Sequence, residues 1–172
     1  RSILMVTATS FMFFSLQKFD LVDIYVVFFT APLIVSLLSA YFLKDILSTK
    51  GILLMLLSFG SIVYSLGPSM KIFSLDLIFP IVPPICWALY QFFTKVVSGD
   101  NDPFAAIFYT SILGAIIFSV FIIFNWVPLE KNIFWFYLII LGTLGFISHS
   151  LIIYAIQLSN LSFVTNFQYS QL

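Results

Sequence analysis

Charged residues are scarce in this chain. They make up 8% of its 172 residues, whereas 62% of the residues are hydrophobic; soluble domains carry about 25% charged residues. A soluble fold of this length could not hide so much apolar surface behind a polar exterior. The seven basic and seven acidic residues cancel, so the chain lacks the positive patch that a nucleic-acid partner requires. The composition therefore indicates an integral membrane protein with lipid against its apolar faces.

Cysteine, histidine and internal carboxylates are also rare. Cys86 is the only cysteine and His149 the only histidine, so the sequence has neither an intrachain disulfide nor a metal-spaced set of His and Cys. The acidic residues lie at or beyond the ends of the apolar runs, and no phosphate-binding glycine loop is present. We therefore expect no enzyme activity, no metal site and no cofactor.

Apolar runs separated by short polar segments fill the chain. A membrane-spanning helix needs about 20 apolar residues, and most of the runs fit or nearly fit that length. None alternates with a period of two, so helices are favoured over the strands of a barrel. Asp102 and Pro103 have the pattern of an N-cap followed by a first-turn proline. The predicted fold class is an all-α polytopic membrane protein. The runs are Ser2–Leu16, Leu21–Phe42, Gly51–Leu66, Leu77–Val97, Phe104–Phe124, Ile133–Leu158 and Leu161–Leu172.

The two ends of the chain align with each other at an offset of 140 residues. Gln17 then falls on Gln157, and Thr9 on His149. The offset spans an odd number of runs, so the second copy would start from the opposite side of the membrane. Inverted repeats of this kind are common in secondary transporters. We expect the chain to be the middle of a ten-helix protein built from two inverted five-helix repeats.

Three stretches resemble EamA-type proteins of the drug/metabolite transporter superfamily. "DIYVVFFTAPLIVSLLSAYFLKD" (23–45) resembles the fourth span of that family, and "PPICWALYQFFTKVVSGDNDPFAAIFYTSILGA" (83–115) resembles its sixth and seventh spans. "YAIQLSNLSFVTNFQYSQL" (154–172) resembles the junction of the eighth and ninth spans. The resemblance implies that residues 1–66 end the first EamA repeat, with spans three to five. Residues 77–172 would start the second repeat, with spans six to nine and the ninth cut short.

The resemblance also implies a function and a location. The chain would belong to a multi-pass protein of the cell inner membrane that carries a small organic solute or metabolite by alternating access. Its partners would be that solute and the lipid bilayer, with a homodimer as a further possible assembly. Because few charges lie inside the runs, we expect a neutral, zwitterionic or aromatic solute rather than a highly charged one. The alternative is a non-transporting helical scaffold whose polar residues only hold helices together.

Polar and aromatic residues inside the runs are the candidates for the solute site. Trp87, Tyr90 and Gln91 follow one another at i, i+3 and i+4, so they share one side of a helix. Pro32 lies midway along its run and should leave the carbonyl of Phe28 without a helical donor, which predicts a kink. Packing against neighbouring helices is the alternative role for each of them. The full set is Phe29, Pro32, Trp87, Tyr90, Gln91, Tyr109, His149, Gln168 and Tyr169.

The remaining candidates rest on ionisation and on the repeat. An ionisable residue inside a span is a candidate for function, so His149 is a candidate for proton coupling; a neutral hydrogen-bonded imidazole is the alternative. The repeat places Gln168 and Tyr169 beside the proline-containing segment of the fourth span. Lys95 stands near the end of its run, and we expect its amine to reach the aqueous surface. Tyr109 is an aromatic candidate for which packing is the stronger alternative.

Overall fold

The computed structural model of the chain describes residues 1–45, 78–97, 102–124 and 131–171, together with isolated positions between them. Within these ranges the chain is helical apart from short connections, which confirms the predicted all-α class. A π-helical segment, Ser39–Leu43, continues the third helix, and a 3₁₀ segment, Phe167–Gln171, continues the last one. The helices are α1 (Ser2–Leu16), α2 (Leu21–Phe28), α3 (Ala31–Leu38), α4 (Ile78–Val97), α5 (Pro103–Phe124), α6 (Asn132–Leu158) and α7 (Leu161–Asn166).

The membrane-length helices follow the predicted runs closely. Among the described residues, Leu21–Leu43, Pro103–Phe124 and Asn132–Leu158 are long and apolar enough to cross a membrane. α1 is a shorter apolar helix, and its bounds are those of the first predicted run. The predicted run Gly51–Leu66 falls outside the described residues, apart from isolated positions. Most helix ends therefore lie where polar residues interrupt the apolar sequence.

The start of α5 has the predicted cap. Pro103 is the first residue of the helix, where its missing N–H costs nothing. The Asp102 carboxylate accepts a hydrogen bond from the N–H of Phe104 at 3.0 Å. This carboxylate satisfies one of the N–H groups that the first turn of a helix leaves without a backbone partner.

Lys95 stabilises the end of another helix. Its Nζ donates hydrogen bonds to the carbonyls of Ile156 and Ser159, both at 2.8 Å, and to that of Gln157 at 3.4 Å. These carbonyls belong to the C-terminal end of α6, which carries the negative end of the helix dipole. The amine was expected to reach the aqueous surface; the structure instead shows it joining α4 to α6.

The second span is broken rather than gently kinked. α2 ends at Phe28, and Phe29 and Thr30 form a turn before α3 begins. Pro32 therefore sits in the first turn of α3, where the loss of an N–H is cheap. The hydroxyl of Thr30 donates to the carbonyl of Val27 at 2.7 Å, so the break is stabilised by a side chain. Splitting the span into two helices is how the sequence accommodates a proline at its middle.

α4 is the central helix of the described part. It packs along α1, crosses α2 and α3, and also contacts α6 and α7. At one end Phe79 packs against Phe11 and Phe14, with ring centroids 6.0 and 6.1 Å apart. At the other end α3, α4, α6 and α7 share one buried cluster. Its members are Val35, Ala88, Phe92, Ile156 and Leu161.

α5 and α6 lie at the periphery. In each, only 6% of the most apolar 18-residue window is buried. Helices that are apolar on every face need an apolar solvent, since water would leave this surface unsatisfied. The outer faces of α5 and α6 are therefore suited to contact with lipid or with further membrane helices. α4 and the inner faces of its neighbours are left as the place for a solute site.

Candidate functional site

A cavity of about 250 Å³ lies among α1, α4, α5 and α6. Its wall runs from near the starts of α1 and α5, at Met5 and Ile107, to the middle of α6 at Gly142 and Phe146, so the cavity reaches mid-depth of the helices. Its volume is a little below the roughly 300–1,000 Å³ of typical ligand pockets, which favours a small solute. Apolar side chains form most of the wall. The polar members of the wall are Thr9, Tyr90, Thr110, Ser111 and His149.

The threonines of the wall present oxygen atoms as acceptors. Thr9 donates its hydroxyl hydrogen to the carbonyl of Met5 at 2.9 Å, and Thr110 donates to that of Ala106 at 2.9 Å. A hydroxyl has one donor and two acceptor lone pairs. The Thr110 oxygen already accepts from Arg1 at 2.9 Å and lies 3.2 Å from the Ser2 hydroxyl, so Thr9 is the threonine that can accept a hydrogen bond from a solute without losing a bond of its own.

An aromatic group on α4 borders the cavity. Tyr90 is 2% exposed, and its ring stacks on Trp87 with centroids 5.5 Å apart. Trp87 meets His149 edge to face at 5.7 Å and lies 6.2 Å from Phe28 at the broken span. Three predicted site residues, from α4 and α6, are thus brought together. They link the cavity wall to the break in the second span.

A cavity between apolar helices with a few polar groups in its wall is typical of carriers, and the family comparison agrees. The sequence profile of the EamA-like transporter family matches residues 75–172, which is more than half of the chain. The chain belongs to the EamA-like transporter family. This finding confirms the resemblance drawn from the sequence, and it makes the chain part of a multi-pass membrane transporter. Comparisons with curated proteins and with solved structures give no significant match.

In this EamA-like chain, Gln91 follows Tyr90 on α4 but does not line the cavity. Its side chain is fully buried. Neither its amide nitrogen nor its amide oxygen has a hydrogen-bond partner among the described residues. The indole nitrogen of Trp87 is likewise buried and without a partner in that part of the chain. Unpaired buried groups are rare because each costs about 1–3 kcal/mol, so they mark positions with a second requirement besides packing.

The break in the second span forms a separate cluster of predicted residues. Phe29 is 3% exposed and stacks on Tyr169, with ring centroids 6.0 Å apart. The Tyr169 hydroxyl donates to the carbonyl of Phe29 at 3.2 Å. Pro32 is buried in the next turn. The repeat aligns Tyr169 with Phe29, and the two residues contact each other here, although none of the three lines the cavity.

Two predicted residues belong neither to the aromatic residues at the cavity nor to the cluster at the break in the second span. Tyr109 lies on α5, is 69% exposed and has its ring 5.9 Å from that of Phe108. Gln168 lines a second, more open cavity of about 410 Å³ between α6 and α7, whose other lining residues are nearly all apolar. The structure therefore does not bring Tyr109 or Gln168 to the mid-depth cavity.

Several residues at the cavity were missed by sequence reasoning. The hydroxyls of Thr110 and Ser111 were overlooked because threonine and serine are common in membrane helices as packing residues. Thr9 had a usable signal, since the repeat pairs it with His149, and both line the same cavity. Arg1 was not among the candidates from the sequence. In the fold its guanidinium lies over the ring of Tyr90, 5.4 Å from the centroid.

Proposed function

We propose that this EamA-like chain is part of a secondary transporter that carries a small organic solute across the inner membrane by alternating access. The cavity between α1, α4, α5 and α6 is its solute site. The observation that carries the proposal is this cavity itself, since an imidazole and a phenol border it and an ionisable side chain within a span faces a protein partner or a water-filled cavity rather than lipid. The two-repeat architecture and a homodimeric assembly remain predictions.

The cavity chemistry suits a small, partly apolar solute. Tyr90 offers an aromatic face, and the Thr9 oxygen can accept a hydrogen bond from the solute. His149 is the only histidine of the chain, and imidazole is the one side chain whose ordinary pKa lies in the physiological range. We propose it as the candidate for proton coupling. A scaffold that only holds helices together has no need for such an opening at mid-depth.

Two glycines of α6 provide a matched test. Gly142 lines the cavity, whereas Gly145 on the same helix does not. A Cβ added at either position meets no described atom within 4 Å, and leucine is a better helix former than glycine, which is about 0.8–1.0 kcal/mol less favourable than alanine. Both leucine variants should therefore fold, but only Gly142→Leu places its side chain in the cavity.

The full-length protein is reconstituted in proteoliposomes, and its solute is found by a thermal-shift screen of small metabolites. We expect Gly142→Leu to lose at least about tenfold in flux, and to lose the solute-dependent rise in Tm. Gly145→Leu should retain both. Normal flux through Gly142→Leu at equal protein density would place the solute path elsewhere. Absence of flux for any solute that binds would favour the scaffold alternative.

A further inference from the structure

Three polar side chains meet at one end of the helices, where α3, α4 and α6 end and α7 begins. The Ser39 hydroxyl donates a hydrogen bond to the Asp45 carboxylate. The Ser162 hydroxyl lies 3.3 Å from the same carboxylate oxygen and 3.4 Å from the Ser39 oxygen, and it can donate to either. Hydrogen bonds to a carboxylate are stronger than those between neutral groups. This Asp45 contact therefore joins the end of α3 to the start of α7.

The two hydroxyls of the Asp45 contact are buried. Ser39 is 0% exposed and Ser162 is 7% exposed, while Asp45 is half-buried. A buried hydroxyl costs free energy when it loses its hydrogen bond. Moving α3 away from α7 at this end would therefore require water or new partners for both serines. The contact favours the arrangement in which α3 and α7 lie together.

The backbone before Asp45 turns back on the end of α3. Lys44 has a φ of 56°, in the left-handed region that residues other than glycine rarely adopt. It follows the π-helical segment Ser39–Leu43, and the N–H of Asp45 donates to the carbonyl of Ser39 at 3.4 Å. π-Helical segments and strained residues are both frequent at functional sites. Here the turn places the Asp45 carboxylate at the Ser39 hydroxyl.

The Asp45 contact connects the two proposed repeats. Ser39 and Asp45 belong to the first repeat, and Ser162 belongs to the second. Within the second repeat, Lys95 joins α4 to the end of α6 through carbonyls that include that of Ser159. The start of α7 directly follows this end of α6, so Ser162 is attached to a packed group of helices. The contact thus holds one repeat against the other at this end.

A second contact connects the repeats at the opposite end of the molecule. Lys18 follows α1, and its amine forms an ion pair at 2.5 Å with Asp76, which lies two residues before α4. Both side chains are about half exposed, so water screens this pair more than it screens the Asp45 contact. Two repeats that rock against each other must give up the contact at whichever end opens.

We propose that Asp45 is a gate residue of the transporter. Its carboxylate stabilises the conformation in which the two repeats are closed at the end of α3, and opening at this end separates Asp45 from Ser162. Removing either partner should shift the population toward conformations that are open at the Asp45 end. The inference rests on the proposed function and on the two-repeat architecture, but access to the cavity can be measured without transport.

The test measures from which side of the membrane the cavity can be reached. Ser111 lines the cavity, and Ser111→Cys is the reporter in full-length protein that has no other cysteine. Right-side-out and inverted membrane vesicles are treated with a membrane-impermeant thiol reagent, and the rate of labelling is measured. A separate Lys18→Cys protein shows which side the end opposite to Asp45 faces.

We expect the labelling rates from the two sides to change in opposite directions. Asp45→Ala and Ser162→Ala should raise the rate from the Asp45 end by about tenfold, the shift expected for loss of one hydrogen bond to a charged group. Both should lower the rate from the other end. Asp45→Asn keeps an acceptor without the charge, so it should give a smaller shift, and it serves where Asp45→Ala does not fold.

Two controls separate a gate from a general loss of stability. Ser150→Ala removes a hydroxyl that bonds within its own helix, to the carbonyl of Phe146 at 2.6 Å, and should leave both rates unchanged. Lys18→Gln breaks the ion pair at the opposite end and should shift labelling the other way, by a smaller factor. Unchanged rates in the Asp45 and Ser162 variants, or an equal rise from both sides, would overturn the proposal.

Flux measurements separate this inference from the proposed function. A shift in labelling without flux of any solute would support the gate and count against transport by this cavity. Solute flux in the original chain, together with Asp45 and Ser162 variants that label as it does, would support transport and remove Asp45 from gating.

Discussion

Gln91 shows how one residue can link packing to the transport cycle. Its amide is fully buried on α4, and the described residues offer it no hydrogen-bond partner. If an amide has a hydrogen-bond partner in one conformation of a protein and none in another, the conformation without the partner is the less stable of the two. We infer that Gln91 keeps the conformation seen here from becoming too stable to leave.

The substitution Gln91→Leu tests this role. Leucine has a similar size and no polar atoms, so it should raise the stability of this conformation by about 1–3 kcal/mol. We expect a higher Tm in detergent, slower turnover in proteoliposomes and an unchanged solute Kd. Thr94→Val is the matched control, because Thr94 is equally buried but donates its hydroxyl to the carbonyl of Tyr90 at 2.7 Å. Thr94→Val should not raise Tm. Unchanged turnover in Gln91→Leu would make the amide a packing feature only.

For single residues, the sequence predicted which side chains share a helix face better than it predicted which side chains of different helices touch. The i, i+3, i+4 spacing placed Trp87, Tyr90 and Gln91 together, because helical periodicity is a local property. Their partners are not local. His149 meets Trp87 from another helix, and Thr110 reaches Arg1 across 109 positions of the chain. A single sequence carries no signal for such a pair, which explains why Arg1 was overlooked.

The element with the clearest mechanical role is the broken second span. α2 and α3 meet at a turn near the middle of the Leu21–Leu43 span, and Pro32 lies in the first turn of α3. A continuous helix from α2 to α3 would need an N–H at position 32 to bond the carbonyl of Phe28, and proline has no N–H. Such a turn gives two half-helices a point about which they can change their relative angle. The position of the break is therefore a candidate hinge for alternating access.

Pro32→Ala tests the hinge. The alanine restores an N–H that can bond the carbonyl of Phe28, so it favours one continuous helix. We expect turnover to fall several-fold while Tm stays equal or rises. Pro103→Ala is the matched control, since Pro103 is the first residue of α5 and its replacement restores no bond across a break. It should leave turnover unchanged. Equal turnover in both variants would show that the break is part of the architecture and does not move.

Helix bounds were largely predictable, but contacts between helices were not. The cap at Asp102 and Pro103 depends on neighbouring residues alone, and the structure shows it as expected. The bonds from Lys95 to the end of α6 cross more than 60 positions. Only the packing of α4 on α6 places the amine there. Local rules thus predict where helices begin and end, whereas tertiary packing decides which helix supplies a hydrogen bond to the end of another.

At the scale of the whole molecule, the inverted repeat is a proposal that the contacts of two residues support. Phe29 and Tyr169 are 140 positions apart, which is the repeat offset, and they touch each other through both rings and a hydrogen bond. Two residues related by a two-fold axis can touch only near that axis. The spans around them also leave regular α-helix at similar places, α2 after Phe28 and α7 after Asn166. These contacts support a pseudo-two-fold axis between Phe29 and Tyr169.

An axis at this position predicts how cross-links affect transport. When two halves rock about an axis, pairs on the axis separate little and pairs far from it separate most. Ser39 and Ser162 provide the distant pair, since Ser162 donates to the Ser39 hydroxyl at 3.4 Å beyond the far end of α3. Phe29 and Tyr169 provide the axial pair. Both are converted to cysteine pairs in a background in which Cys86, the cysteine of these 172 residues, is replaced by alanine together with any cysteine elsewhere in the full-length protein.

Flux is compared in the same protein before and after cross-linking with a short thiol reagent. We expect the cross-linked Phe29→Cys/Tyr169→Cys protein to keep a substantial part of the flux of its own reduced form. The cross-linked Ser39→Cys/Ser162→Cys protein should lose nearly all of its flux, and a cleavable reagent should restore it. Since each variant serves as its own reference, a loss caused by replacing Tyr169 does not enter the comparison. Equal inhibition of both pairs would mean that the halves do not rotate about this contact, and the inverted-repeat mechanism would have to be abandoned.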